Sequence, residues 1–225
     1  MRSRTIVVRC ADHGEMGLSH GGLRQKCFNA YEETINVPLV VSNPTLFAEP
    51  AESGALASLA DVLPTLLAVT GVASSAKQRE GLRGCDLTPI LAVAARAERE
   101  RIERSPIDLS PVLDHPRPEV SVQESIYFTY DDHQAGTAMQ EAPGQPNRVR
   151  AIRTASHKYA RYFDPAGAAS PEYELYDLER DPIEAVNLVE VRTRDGHDRA
   201  GGAIRDQLAE RLAEAMRDLG TNAPR

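Results

Sequence analysis

No apolar stretch in this 225-residue sequence approaches the length of a membrane span, so no spanning helix is expected. Cysteine is scarce: Cys10, Cys27 and Cys85 form an odd set without metal-type spacing. That excludes a disulfide framework and favours a reducing compartment. Cys10 falls on a predicted strand, where a buried structural thiol is expected. Positive charge is in deficit too. A net charge of −7 argues against general affinity for nucleic acid or an anionic membrane, although a local basic pocket is compatible with it. No signal peptide is visible, because Met1 to Arg4 leads straight into a strand-like run. The expected address is therefore cytoplasmic, unless the start is artificial. No internal repeat is present.

What is there looks like a soluble globular chain, with 41% hydrophobic and 26% charged residues. The length allows one large domain or two small ones. Three zones are expected. Residues 1–75 alternate strand and helix signals. Thr5 to Val8 and Val37 to Val41 read as strands covered on both faces of a parallel sheet, since both are nearly continuous apolar runs. Gln25 to Thr34 reads as helical. Ser58 to Val69 carries a helical apolar stripe in which Pro64 predicts a turn or kink. Residues 76–119 read as a connector, with a charged helix over Ala92 to Arg104 followed by prolines. In residues 120–225, short strands are expected at Ser121 to Tyr130, Arg148 to Thr154, His157 to Phe163 and Glu172 to Leu178. Ile204, Leu208, Leu212, Met216 and Leu219 then mark an amphipathic helix that closes over the small sheet and stops at Gly220.

Chemistry concentrates just behind the first strand. Asp12 and His13 offer a hard oxygen and an imidazole nitrogen, donors suited to a divalent cation. Gly14 would permit the sharp turn that lets both reach one ion. Two ligands are too few for a tight site, so others must come from elsewhere. The same tripeptide is also what ends many strands in a plain turn. Lys26 can hold a sulfate or phosphate oxygen and offset transition-state charge, or be a surface lysine. His20 can donate to a leaving oxygen, orient a neighbour, or be a loop histidine. Glu32 and Glu33 can partner Lys26 or cap a helix.

The run Thr5 to Glu15, then His20 to Lys26, Tyr31 to Glu33 and Val37 to Leu39, resembles the sulfatase family and, more broadly, the alkaline-phosphatase-like superfamily. So do Ser58 to Leu67, Glu174 to Leu178, Asp181, Pro182, Glu184, Asn187 and Leu188. The resemblance implies an α/β fold: a partial alkaline-phosphatase-like sandwich core in residues 1–75, then a small antiparallel sheet with a C-terminal helix in residues 120–225. It implies metal-dependent hydrolysis of a small-molecule sulfate ester. Asp12 and His13 would be metal ligands, with Ca²⁺ first and Mn²⁺ or Mg²⁺ as alternatives, and Lys26 would contact the sulfate. Many sulfatases have Asn where His13 stands; the Asp-His form is similar to choline-sulfatase-like and phosphonate monoester hydrolase-like members.

One family element is missing. Sulfatases make a formylglycine nucleophile in a Cys/Ser-x-Pro/Ala-x-Arg motif, and none of Cys10, Cys27, Cys85 or any Ser sits in such a run. The chain is therefore expected to be the C-terminal part of such an enzyme, holding half a site and inactive alone. A truncated or frameshifted gene is the most economical explanation, and an intended split enzyme with a separately made N-terminal half is the alternative. A non-catalytic remnant in binding or assembly is the other reading.

Overall fold

The computed structural model describes residues 4–26, 28–47, 49–72, 81–95, 121–132, 146–193, 195 and 199–221. These divide into two compact units, Met1–Asp12 with Val37–Glu124, and His13–Asn36 with Ser125–Arg225. The grouping cuts across the sequence zones, since residues 13–36 associate with the C-terminal sheet rather than with their chain neighbours.

In the first unit, β1 (Val7–Cys10) pairs with β2 (Leu39–Ser42), Val8 opposite Val41. The pair is antiparallel, not parallel as expected from its apolar composition. Nor is it covered on both faces: Val7 is 51% and Val40 50% exposed, and Cys10 is an exposed thiol rather than a buried one. Apolar continuity alone could not distinguish burial from an uncovered ribbon.

Leu59–Asp61 forms a 3₁₀ turn that leads into α1 (Val62–Val69). Pro64 causes no break, because it falls in the first turn, where a backbone N–H has no helical acceptor to lose. Asp61 is buried and anchors this corner by accepting from Ser58 N (2.7 Å), Cys85 N (2.7 Å) and Gln123 Nε2 (2.8 Å). Leu46, Val69, Ala92 and Ala95, the last two from α2 (Thr88–Ala95), make the small core. The expected charged helix beyond residue 95, and the rest of the connector to residue 119, lie outside the described residues.

The second unit is built on an antiparallel meander in the order β3 (Ser125–Asp131), β4 (Arg148–Thr154), β5 (His157–Phe163) and β6 (Glu172–Asp177). These strands follow the expected segments closely. Strand alternation divides β5 between two faces. Tyr159 and Phe163 join Ile152 and Leu175 against Leu208, Leu212 and Met216 of α3 (Arg199–Asp218). Each buried side chain there contributes about 1.5–3 kcal/mol relative to exposure. α3 ends at Gly220, whose φ of 66° lets Thr221 N–H donate to Met216 O at 2.9 Å. No helix among the described residues is long and apolar enough to cross a membrane.

The opposite face carries Val149, Ala151, Ala160 and Tyr162, and Ala30 packs on it. Residues from the 13–36 segment thus cover this face while α3 covers the other, which is why β4 and β5 are buried along most of their length. The expected helix over Gln25 to Thr34 is absent; only a single turn, Glu32–Ile35, forms there. Phe28, at φ 63°, interrupts any helical path.

Candidate active site

Asp12 closes the first unit as an exposed residue and His13 opens the second. Gly14 follows, but its role is not a left-handed turn. Its N–H donates to Thr34 O at 2.8 Å, and a Cβ here would lie 1.9 Å from Glu33 O. Only glycine allows this approach of two backbone segments.

The close approach fixes His13. Its Nδ1 lies 2.8 Å from Gly14 O, and its Nε2 lies 2.7 Å from Lys26 Nζ. An ammonium can only donate, so Nε2 accepts and Nδ1 carries the hydrogen given to the carbonyl. A backbone acceptor on one ring nitrogen, with the lone pair on the other, is the tautomer that metal-binding histidines adopt. That tautomer is present here, but Lys26 holds the Nε2 lone pair, so a divalent cation there would have to displace that ammonium. The structure brings Lys26 to His13 and not to the two glutamates.

His20 belongs to a different group. It stacks on Tyr31 with ring centroids 3.7 Å apart, and its Nε2 lies 3.3 Å from Glu33 Oε2. Burial opposes the Glu33 charge, but its own backbone, Ser19 and His20 hold the carboxyl below the ordinary range. Ligand atoms of His20, Glu33 and Glu184 all fall within 4.8 Å of one another, a second arrangement able to hold a cation. Glu184 is already engaged, by Lys158 and by Glu32 N–H at 2.7 Å, so an ion there would compete with an internal ammonium.

Beneath these residues the sheet face is polar and buried. Lys158, 1% exposed, pairs with both Glu32 and Glu184, and Arg153 also reaches Glu32. Burial pushes the Glu32 carboxyl up, but Lys158 and Arg153 outweigh it and leave it depressed; for Glu184 burial wins and the group is raised. Glu174 accepts from Tyr162 OH at 2.6 Å and, more weakly, Tyr31 OH at 3.4 Å. Sequence reading offered Glu32 and Glu33 to Lys26 or to a helix cap, and missed Lys158 and Arg153. Their pairing spans more than 120 residues and leaves no local pattern.

Burial, which outweighs the tyrosine hydroxyls and Lys158, also raises Glu174. A raised folded-state value means the group costs nothing below its unfolded value, about pH 4.3, and stability is lost as pH rises from there through the folded value. Unfolding midpoints of the chain are therefore expected to fall over that interval relative to Glu174→Gln. A pH-independent difference between the two would refute this origin.

Residues 1–72 match the sulfatase family model. The chain is 28% identical over 186 residues to mouse arylsulfatase K, covering 82% of itself and 27% of that protein. The chain is similar to sulfatases over these segments and spans less than a third of the length of the curated relatives it matches. Among solved structures, the chain superposes on a 2-O GAG sulfatase with a TM-score of 0.63 at 22% identity, covering 96% of itself and 37% of that chain. It superposes on the phosphonate monoester hydrolase of Agrobacterium radiobacter with a TM-score of 0.57 at 22% identity, covering 94% of itself and 35% of that chain. The fold is alkaline-phosphatase-like, with the small antiparallel sheet and C-terminal helix in place.

Proposed function

We propose that the chain forms one side of a sulfuric ester hydrolase site. The observation that carries this reading is the loop from His13 to Lys26, in which a backbone-fixed imidazole presents Nε2 beside an ammonium group. Asp12 and His13 would hold a divalent cation, Ca²⁺ first; when bound, it supplies polarisation of the ester and activation of the nucleophile. Lys26 grips a non-bridging oxygen of the sulfate and offsets charge that builds there. His20, tied to Glu33 and stacked on Tyr31, would donate to the leaving oxygen or orient the loop. The formylglycine nucleophile is not encoded in this sequence and would have to be supplied by residues outside it.

The test is turnover of 4-nitrophenyl sulfate with Ca²⁺, by the pure chain and by the chain joined behind a formylglycine-bearing half. None is expected from the first and hydrolysis from the second. Turnover by the pure chain would overturn the half-site, and silence of both would remove catalysis.

A second reading, phosphonate monoester hydrolysis, draws support from His13 and from the likeness to the Agrobacterium enzyme's fold. Preference of the joined enzyme for an aryl phosphonate monoester over the aryl sulfate would select it.

A further inference from the structure

The sheet face beneath α3 carries a group of charges that the ester site does not use. Arg150 of β4 and Arg161 of β5 stand directly opposite each other in the antiparallel ladder. Strand alternation puts both on the face that holds Ile152, Tyr159 and Phe163, not the face on which Ala30 packs. Like charges so placed repel, and the pair costs stability unless something neutralises it. Both guanidiniums also lie against one ring, with Arg150 Cζ 5.5 Å and Arg161 Cζ 5.2 Å from the Phe163 centroid.

The countercharge at hand is incomplete. Asp131 accepts from Arg148 Nη1 at 2.7 Å on one carboxylate oxygen and from Arg150 Nη1 at 2.6 Å on the other. Arg150 is held further by the carbonyls of Tyr130, Val149 and Thr221. Arg161 has no ion-pair partner among the described residues, and its Nε is buried without a hydrogen-bond acceptor. A buried donor left unpaired is costly. Three guanidiniums against one carboxylate leave two positive charges here, in a chain whose net charge is −7.

We propose that Arg161 is the contact residue of a site for a tetrahedral dianion of the phosphate type, with Arg148 and Arg150 supplying the field. The planar guanidinium offers two parallel N–H donors to two oxygens of such an ion, and stacking on Phe163 holds that plane in place. Two negative charges match the local excess, whereas a single carboxylate would leave half of it. Lys26 and His13 take no part, so this site and the ester site stand or fall separately.

The probe is inorganic phosphate, titrated calorimetrically at pH 7.5 and fixed ionic strength into the full chain and into its Lys26→Ala variant, with acetate as the monoanion. Saturable phosphate binding is expected in both proteins, at least about ten-fold tighter than acetate. Arg161→Gln, added to Lys26→Ala, is expected to weaken phosphate by about ten-fold or more, as loss of a charge-assisted pair does. Should that variant fail to fold, Arg161→Lys carries the test. It keeps the charge but not the fork, and is expected to weaken phosphate by about the same factor. Binding that vanishes with Lys26→Ala would place the ion at the ester loop and overturn the proposal. So would equal affinity for acetate, absence of saturable binding, or undiminished affinity in the Arg161 variants.

Discussion

Lys26→Ala in the enzyme completed by a formylglycine-bearing half is expected to lower kcat/KM for an aryl sulfate by about 10²–10³-fold, the usual effect of losing one preorganised charge stabiliser. The reason is position. Lys26 Nζ lies 2.7 Å from His13 Nε2, so the ammonium and the imidazole share one small volume on a loop pinned by the Gly14 to Thr34 hydrogen bond. An ester oxygen entering that volume meets a donor that needs little reorganisation. The loss should fall on kcat as well as KM, since charge on the sulfate oxygens grows toward the transition state. Bound metal, measured separately by elemental analysis, should not decrease, because Lys26 is not a ligand. A rise in KM alone would reduce Lys26 to ground-state binding. Unchanged kinetics would return it to the surface lysine that its isolated position in sequence also allows.

How the sequence foreshadowed this geometry differs between elements. The meander and its helix were legible because their signals are local: β-branched and aromatic residues concentrated in Arg148 to Thr154 and His157 to Phe163, and Leu208, Leu212 and Met216 at helical spacing. The loop residues Asp12, His13, His20 and Lys26 were legible only as types of donor, and through the family resemblance. Their grouping was not. Lys26 joins His13 and His20 joins Glu33 because Gly14 lets two backbones touch, a tertiary contact with no periodicity. The antiparallel β1–β2 pair was misjudged for a related reason. Val and Leu content reports what a strand can bury, while direction and cover depend on the rest of the fold.

The buried charges under the loop were the least legible part, and they carry the second large effect. Lys158→Met is expected to destabilise the second unit by about 3–5 kcal/mol, the typical result of removing one partner from a buried ion pair. Methionine fills nearly the same space, so packing loss is small and the cost is electrostatic. Two carboxylates, Glu32 and Glu184, lose their shared ammonium; Arg153 remains for Glu32, and Glu184 is left with only the Glu32 backbone N–H. Glu184 is already raised by burial with Lys158 in place, so without it the carboxyl should take a proton more readily still. The sign follows from linkage: a carboxyl raised in the folded state imposes no cost below about pH 4.3 and a growing one as pH climbs through its folded value. Urea unfolding at pH 4 and pH 7.5 should therefore show a larger loss for Lys158→Met at the higher pH. Adding Glu184→Gln should recover part of it, since a neutral amide leaves no uncompensated charge. A loss equal at both pH values, or no recovery in the double variant, would mean that Lys158 stabilises through its alkyl stem rather than its charge. Because Glu32 and Glu184 sit directly beneath Tyr31 and Glu33, the same substitution should loosen the His20 stack, visible as a shift of the His20 ring resonances without any change in the α3 core.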